Sequence, residues 1–481
     1  MKLIKIILTF LCFMENLVHL KCQNEESEPP KFLEFPFKRN LTRNDKLTPE
    51  EFFKTYFYNQ LYINLKVGSN KLEIPFYFNL HQYPVVLQPK NVKENEVKGK
   101  YDETESKSYK PLNEEETFNY GDLYKGILSR DIFYFNDNNG VPTEFYLSKE
   151  NLQNAHITEG GKIGFRMKPK YGESEGTSFI KSLKEKFIIS SPVLTLEYNS
   201  KKEEEDSGKI YIGAYPHLFD SSRFKEEYFE SSLAQADDGE LNWILFFEEF
   251  QINSQTYEKS KNAFLYSELG FIIGNNNFFD YLNKTEAWEE YFYTKKKCHM
   301  LNFRVNDFEG NDYFVRFLFE YTGYYCDKDV DVEKLNIHNI TFVSKTDKYS
   351  LNLTYKDIWM EKNGYKYLMI IKSGDILDNV WFLGKPFFKK YQMVFDFDSK
   401  IIGFYSKVFN EENPSDDESS GNSIVKYVLI IVALSLIIIG LIVFLIKCYF
   451  DLPRRKRANE LLDDNYNYDE NGIKEEKGIN E

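Results

Sequence analysis

The chain has 481 residues, of which 42% are hydrophobic and 17% aromatic, and it carries a formal net charge of −14 at pH 7. A chain of this length is too long for one hydrophobic core, so we expect two or more lobes. The acidic balance argues against a nucleic-acid partner, and the many tyrosines and phenylalanines favour a β-rich globular body over a disordered chain.

The N-terminus has the pattern of a secretory signal peptide. Lys2 and Lys5 precede an apolar run from Ile6 to Phe13, and a polar exit follows, so residues 1–22 are assigned to the signal. Residues 23–55 are charged, contain several prolines and show no sustained period. We interpret them as a lead-in or the remnant of a pro-segment.

The C-terminal region predicts a membrane span. The stretch from Tyr427 to Ile446 carries no charge and is long enough to cross hydrocarbon as a helix. The basic cluster Arg454–Arg457 follows it and places the C-terminus in the cytosol. A buried core helix is the alternative, which the length and flanks disfavour. We therefore expect a single-pass type I membrane protein with its ectodomain in the secretory lumen or outside the cell. The predicted segments here are an acidic stalk (409–423), a transmembrane helix (424–447) and a cytosolic tail (448–481).

Cysteine usage agrees with that compartment. Cys12 lies in the signal, Cys22 at its end and Cys448 at the cytosolic end of the span, which leaves Cys298 and Cys326 in the ectodomain. We expect a disulfide between them, closing a loop of about 27 residues. Two free buried thiols are the alternative. Sequons for N-glycosylation lie at Asn40, Asn283, Asn339 and Asn352.

The predicted folded body opens and closes with a hairpin. Residues Tyr56–Val67 and Leu72–Leu80 alternate as strands do, with Gly68-Ser69-Asn70 as the turn between them. At the other end, the apolar run Val380–Leu383 meets Gly384, as a strand does where another backbone passes close to it. Pro386 then opens a short helix, and Tyr391–Phe397 and Ile401–Tyr405 form a hairpin around Asp398-Ser399-Lys400.

This closing stretch resembles the C-terminal signature of the pepsin-like aspartic proteases, which reads W-I-L-G, a helix, Y-x-x-V-F-D, a turn and I-G-F. The matching positions are Trp381, Leu383-Gly384, Phe387, Tyr391, Val394-Phe395-Asp396 and Ile402-Gly403-Phe404. Gly161-Lys162-Ile163-Gly164-Phe165 resembles the counterpart junction of the first lobe. The resemblance implies a mainly β, bilobal fold with a ψ-shaped crossing in each lobe, an N-lobe over 56–235 and a C-lobe over 236–408.

The same resemblance locates the two catalytic loops. In the family the first hairpin leads into D-T-G-S, with the aspartate eleven residues after the turn glycine; eleven residues past Gly68 stands Asn79, followed by Leu80-His81-Gln82. The second loop of the family reads A-I-V-D-T-G, and here Tyr266 takes the place of the aspartate and Glu268 that of the glycine. The resemblance therefore implies that both catalytic acids are replaced.

The flap of the family also has a counterpart. Tyr120 and Gly121 stand where the flap tyrosine and its glycine lie. The segment Asp122–Lys125 replaces the small residues that a closing flap needs, which disfavours a role as a substrate lid.

The chemistry of these replacements disfavours proteolysis. An amide at Asn79 does not titrate, and a phenol at Tyr266 with an ordinary pKa of about 10 is no base near neutrality. Glu268 as a substitute acid is disfavoured, because its position normally turns the backbone. The G-x-S-x-G match at Gly172–Gly176 lies in a charged loop, so we interpret it as surface. No cofactor or metal is expected, since the ectodomain histidines are scattered. They are His81, His156, His217, His299 and His338.

Two functions from different classes remain. The first is a non-catalytic, membrane-tethered pepsin-like protein, expected to be monomeric, that binds a polypeptide in or near the cleft between the lobes. The alternative is an active aspartic-type endopeptidase with a rearranged site, which the retained scaffold motifs favour.

Overall fold

The strands of the chain assemble into two large sheets. The computed structural model describes residues 30–39, 47–58, 61–81, 85–90, 101–120, 122–135, 140–149, 160–167, 178–199, 207–237, 240–305, 320–335, 337–374 and 380–406. All of them belong to one unit within Met1–Val408, and the second unit, Phe409–Glu481, lies outside the described residues.

The described part of the chain contains strands of two to thirteen residues. In chain order they are β1 (Leu33–Arg39), β2 (Leu61–Val67), β3 (Leu72–Asn79), β4 (Val85–Leu87), β5 (Lys110–Tyr120), β6 (Asp122–Tyr134), β7 (Gly140–Ser148), β8 (Gly161–Gly164), β9 (Val193–Tyr198), β10 (Ser207–Ile212), β11 (Phe229–Leu233), β12 (Ala236–Asp237), β13 (Glu240–Leu241), β14 (Ile244–Ile252), β15 (Gln255–Leu265), β16 (Ile272–Gly274), β17 (Cys298–Arg304), β18 (Glu320–Asp327), β19 (Asn339–Ser344), β20 (Tyr349–Thr354), β21 (Trp359–Lys362), β22 (Tyr365–Leu368), β23 (Ile370–Ser373), β24 (Val380–Leu383), β25 (Met393–Asp396) and β26 (Ile401–Tyr405).

The helices are short and lie between strands. They are α1 (Pro49–Phe57), α2 (Phe179–Glu185), α3 (Pro216–Phe219), α4 (Asn276–Asn283), α5 (Glu286–Glu289), α6 (Tyr355–Ile358) and α7 (Lys385–Lys390). Single 3₁₀ or π turns occur at Glu226–Tyr228, Glu290–Thr294 and Val332–Leu335. The fold is therefore mainly β over the described part of the chain.

The first sheet carries the N-lobe and receives the end of the chain. Its thirteen strands run in the order β11-β26-β25-β9-β10-β1-β2-β3-β8-β4-β7-β6-β5. The last hairpin, β25–β26, pairs with β9 on one side and β11 on the other. The second sheet, from β14 to β24, carries the C-lobe.

Each lobe contains the same crossing of strands. In the N-lobe β8 lies parallel to β3 and antiparallel to β4, and in the C-lobe β24 lies parallel to β15 and antiparallel to β16. A Cβ on Gly384 would stand 2.1 Å from the carbonyl oxygen of Phe271, so only glycine fits where the two segments pass. The close approach predicted for this glycine is confirmed.

Ordered structure begins earlier than the boundary that sequence patterning suggested. Alternation in the sequence predicts a folded body from Tyr56 onward, whereas β1 already pairs with β10 from Leu33 and with β2 at Lys38 and Arg39. Helix α1 starts with a capping box, in which Thr48 and Glu51 exchange hydrogen bonds between side chain and backbone. The sequence pattern does not predict β1 and α1 because both pack against parts of the chain that are distant in sequence.

The predicted disulfide between Cys298 and Cys326 is present. It joins β17 and β18 at residues that face each other in register. Among the predicted glycosylation sites, Asn283 is exposed at the end of α4, and Asn339 and Asn352 lie on the paired strands β19 and β20.

Some predictions fall outside the described residues. They are the signal peptide, Asn40, Gly121, His156, the G-x-S-x-G match at Gly172–Gly176, the stalk, the span at Tyr427–Ile446 and the cytosolic tail. Within the residues that are described, no helix combines the length and the apolar character that a membrane crossing requires.

Candidate functional site at the centre between the lobes

Asn79 closes the strand that leads to the first loop. It is the last residue of β3, in register with Gly164 of the parallel strand β8, and its carbonyl oxygen accepts a hydrogen bond from the N–H of Phe165 at 2.7 Å. Its side-chain Oδ1 accepts the N–H of His81 at 2.7 Å. The amide thus shapes the local turn, as asparagine commonly does two residues before a backbone donor.

Tyr266 occupies the corresponding point of the C-lobe. It follows β15, whose last residue Leu265 is in register with Leu383 of β24. The N–H of Tyr266 donates to the carbonyl oxygen of Leu383 at 3.0 Å. The two sequence-predicted positions, Asn79 and Tyr266, therefore follow the same strand arrangement in the two lobes. Their assignment to the acid positions of the family stays a prediction.

His81 joins the two loops. Its Nε2 lies 2.7 Å from the carbonyl oxygen of Leu265, so this nitrogen carries a proton and donates across the lobe boundary. Its ring also stacks on the ring of Tyr266, with centroids 3.8 Å apart and an interplanar angle of 21°. His81 is 7% exposed and Tyr266 3%. The centre between the loops is therefore occupied by two stacked, buried rings.

Two further charged groups flank these rings. Lys162 lies on β8 of the N-lobe, and burial lowers its pKa to about 8 against the attraction of Glu268. Glu268 lies in the C-lobe loop, and burial raises the pKa of its carboxyl, while His81 and Lys162 act in the opposite direction. The Oγ of Ser267 also donates to Glu268, at 3.2 Å. The carboxyl thus has basic groups of the other lobe as its charged neighbours.

A different arrangement is required for the chemistry of an acid dyad. Two carboxylates a few ångströms apart share one proton, so that one acts as base and the other as acid. The charged groups that act on Glu268 favour its ionised form and offer no shared proton. The described centre therefore holds a histidine ring stacked on a tyrosine ring, together with an electrostatic attraction between Glu268 and Lys162.

The face of the C-lobe that meets the N-lobe can be identified from the alternation along β15. Ala263 and Leu265 point into the main core, whereas Phe264 and Tyr266 belong to a second cluster on the opposite face. Since Tyr266 contacts His81 of the N-lobe, the second cluster forms the C-lobe wall between the lobes. Helix α1 lies on this wall with four aromatic side chains.

The described residues of the predicted flap lie on a long hairpin, and their role as a flap stays a prediction. Strands β5 and β6 pair up to Tyr120 and Asp122, so Tyr120 is the last residue of its strand. Only the backbone is described at this position.

A metal site does not emerge from the described part of the chain, where no cluster of three or more histidine, cysteine, aspartate or glutamate side chains could hold an ion.

Two residues of the centre were not predicted from the sequence as site residues. His81 was interpreted only as a loop residue, and Lys162 was not singled out. The signals were a histidine at the third place of the D-T-G motif and a lysine inside the G-x-x-G junction.

Comparison with known proteins agrees with this architecture. The family model described as eukaryotic aspartyl protease matches residues 66–407, which include both loops and both crossings. The chain belongs to the eukaryotic aspartyl protease family. No curated protein matches it. In this aspartyl protease homologue, the stacked rings of His81 and Tyr266 lie within the matched range, whereas α1 precedes it.

Proposed function

We propose that this protein is a membrane-anchored, non-catalytic member of its family that binds polypeptide on the luminal or extracellular side. The observation that carries the proposal is the stacking of His81 on Tyr266, both rings being buried at the centre of the site. A peptidase of this kind needs two carboxylates and a bound water at such a point. Asn79 and Tyr266 supply neither a shared proton nor a base near neutrality.

Polypeptide as the ligand is supported by the scaffold. The match to the family runs over residues 66–407, which supports both lobes that would enclose a chain, while the resemblance implies that the acids are replaced. The C-lobe wall also holds a segment of polypeptide already, namely helix α1. A fold alone does not fix a function, and therefore binding and catalysis need separate tests.

Catalysis is tested with the purified full-length protein in detergent and a peptide library between about pH 3 and pH 7, where carboxyl and imidazole groups titrate. We expect no cleavage above a buffer control. Pepstatin-sensitive cleavage would overturn the non-catalytic proposal and favour the alternative endopeptidase. In that case Glu268→Gln identifies the acid, with a loss of about 100-fold or more if Glu268 performs it.

Binding is tested with the same library displayed on phage against the immobilised protein. We expect recovery of peptides of a common pattern, which remain intact after incubation with the protein. Absence of any enriched pattern contradicts the binding half of the proposal.

The membrane anchor is supported by the uncharged stretch from Tyr427 to Ile446 and the basic cluster Arg454–Arg457 after it. The disulfide between Cys298 and Cys326 suits an oxidising compartment. The test is protease protection of microsomes from cells that express the chain with a C-terminal epitope. We expect loss of the epitope and protection of the ectodomain, and release of the intact chain by alkaline carbonate would refute the anchor.

A further inference from the structure

Helix α1 presents an unusual density of aromatic side chains on one face. Phe52, Phe53, Tyr56 and Phe57 are at most 8% exposed, whereas Glu50, Glu51 and Lys54 of the same helix are exposed to solvent. The spacing of i, i+1, i+4 and i+5 places all four on the same side of a helix. A nine-residue helix is marginal in water by itself, so α1 depends on the surface that these rings contact.

That surface is an aromatic groove in the C-lobe wall. Phe52 stacks on Tyr367 with centroids 3.6 Å apart, and Phe53 stacks on Phe303 at 5.2 Å. Phe57 contacts Tyr321 at 4.6 Å. Ring pairs at these distances contribute beyond the area they bury. Three of the helix rings thus each have an aromatic partner of their own on the C-lobe.

The groove is also shaped by two glycines. A Cβ on Gly323 would lie 2.4 Å from the ring of Phe53, and a Cβ on Gly270 would lie 1.7 Å from the carbonyl oxygen of Tyr56. The N–H of Gly270 donates to the carbonyl oxygen of Phe57 at 2.8 Å. A side chain at either position would push the helix out, so the C-lobe backbone leaves room for a helix at this point.

The C-terminal end of α1 is held by a cation. The Arg39 guanidinium donates to the carbonyl oxygens of Thr55 at 3.0 Å and Tyr58 at 2.7 Å and lies 4.6 Å from the centroid of the Tyr56 ring. It therefore satisfies carbonyls that a helix end leaves without intrahelical donors. Since Arg39 is in β1 of the N-lobe sheet, α1 is attached to one lobe while its rings pack on the other.

We propose that the C-lobe wall is a groove for an amphipathic helix with two adjacent aromatic pairs, that α1 is its resident occupant, and that the polypeptide partner binds there as a helix of the same pattern in exchange for α1. This proposal rests on the proposed polypeptide-binding function and names the class of ligand. Recognition of a helix through such anchors in an apolar groove is an established mode of binding between proteins.

The experiment uses a fluorescent peptide of the α1 sequence, residues 47–58, and the full-length protein in detergent. The first variant, Phe53→Ala with Phe57→Ala, weakens the resident helix, and a second variant adds Gly323→Val to block the groove. Fluorescence anisotropy is expected to show peptide binding about tenfold tighter or more for the first variant than for the native protein, because buried aromatic anchors carry most of such binding energy. The blocked variant is expected to bind no peptide.

The matched control is the same peptide with all four aromatic residues changed to alanine, which is expected not to bind. The proposal is overturned if the first variant keeps its near-ultraviolet circular dichroism and binds the native peptide no better than the unaltered protein does. It is also overturned if the blocked variant binds equally well.

A measurement on the native protein applies even if the variants do not fold. In amide hydrogen exchange, α1 is expected to exchange about 100-fold faster or more than β18 and β22, since exchange of the helix requires it to open while the sheet stays folded. Equal protection of α1 and of the two strands would overturn the proposal that a partner helix replaces α1. Mass spectrometry of the incubated peptide separates the two proposals, because cleavage refutes the non-catalytic function, whereas an intact, unbound peptide refutes the groove alone.

Discussion

The lysine beside the central rings gives a sharp prediction about stability. Burial lowers the pKa of Lys162 from 10.5 to about 8, even with Glu268 nearby. Holding the ammonium charged therefore costs about 3 kcal/mol at pH 7, at about 1.4 kcal/mol per pKa unit. Methionine keeps most of the apolar stem and removes the charge. We expect Lys162→Met to raise the free energy of unfolding by about 1 to 3 kcal/mol, because relaxation around the native lysine reduces the full penalty.

The pH dependence of stability is a second test of the predicted destabilising effect of Lys162. Because the folded pKa of Lys162 is the lower one, the unfolded chain binds more protons than the folded chain between about 8 and 10.5. Native stability therefore rises with pH across that window, and the Lys162→Met variant lacks the rise. Glu268 acts with the opposite sign, since burial raises its pKa above 4.5. Its contribution is present at acid pH and lost as the pH rises through the folded pKa, and Glu268→Gln removes this decline.

The assay is equilibrium unfolding in urea, followed by tryptophan fluorescence and circular dichroism at about pH 4.5, 5.5, 7, 8 and 10, which samples the windows of both groups. Lys328→Met is the matched control, because Lys328 pairs with Glu361 at 2.9 Å on the surface with its side chain 68% exposed. The control should change stability by less than about 0.5 kcal/mol. The reasoning is refuted if Lys162→Met is less stable than the native protein at pH 7, or if it keeps the native rise between pH 8 and pH 10.

Three other substitutions test separate parts of the structure. Phe187 is 80% exposed with a φ of 57°, and Phe187→Gly should raise the free energy of unfolding by about 1 kcal/mol in urea unfolding, since glycine adopts this conformation without strain. A decrease contradicts it. Replacing Cys298 and Cys326 by alanine should lower stability by about 2 to 5 kcal/mol in the same assay, and an unchanged midpoint argues against the bond. Asn283→Gln should remove one glycan from the expressed chain, seen as faster migration on a gel, because Asn283 is exposed; unchanged migration contradicts glycosylation there.

Much of the closing region could be predicted from sequence because its signals are local. Pro386 predicted a helix that the structure shows at Lys385–Lys390, and the second strand of the hairpin runs over Ile401–Tyr405 as expected. The first strand is shorter than predicted, covering Met393–Asp396, since Tyr391 caps the helix and its hydroxyl bonds the backbone of Asn352. Turns, prolines and alternation within a few residues decide such elements.

The N-terminal elements had weaker signals. In β1 only Phe35 and Phe37 are buried aromatic positions, and Pro36 between them obscures the alternation of a strand. Helix α1 did carry a sequence signal in its capping box, beginning at Thr48. Its partner surface, however, comes from strands more than 200 residues later in the chain, such as β18 and β22. A contact between residues so far apart in the chain produces no local sequence pattern from which it could be predicted.

The features of the site likewise divide into those predicted from local sequence and those that required the structure. The positions of Asn79 and Tyr266 came from loop spacing, which is local information. The contact of His81 with Tyr266 and the attraction between Lys162 and Glu268 join residues of different lobes, so they required the structure. Neither a histidine nor a lysine at those points has a periodic or spacing signal of its own.

Two further positions bear on the proposed lack of catalysis, and each lies two residues after a predicted acid position. His81 and Glu268 stand where the family resemblance has glycine in each D-T-G motif, and both now bring a side chain to the centre. The His81 ring stacks on Tyr266 and donates to the carbonyl oxygen of Leu265, while Glu268 interacts with Lys162 and His81. Aspartates restored at Asn79 and Tyr266 would still face an imidazole and a carboxyl in the space that glycine leaves free. The proposed lack of catalysis therefore involves four positions, and we expect aspartates at Asn79 and Tyr266 alone to give no peptidase activity.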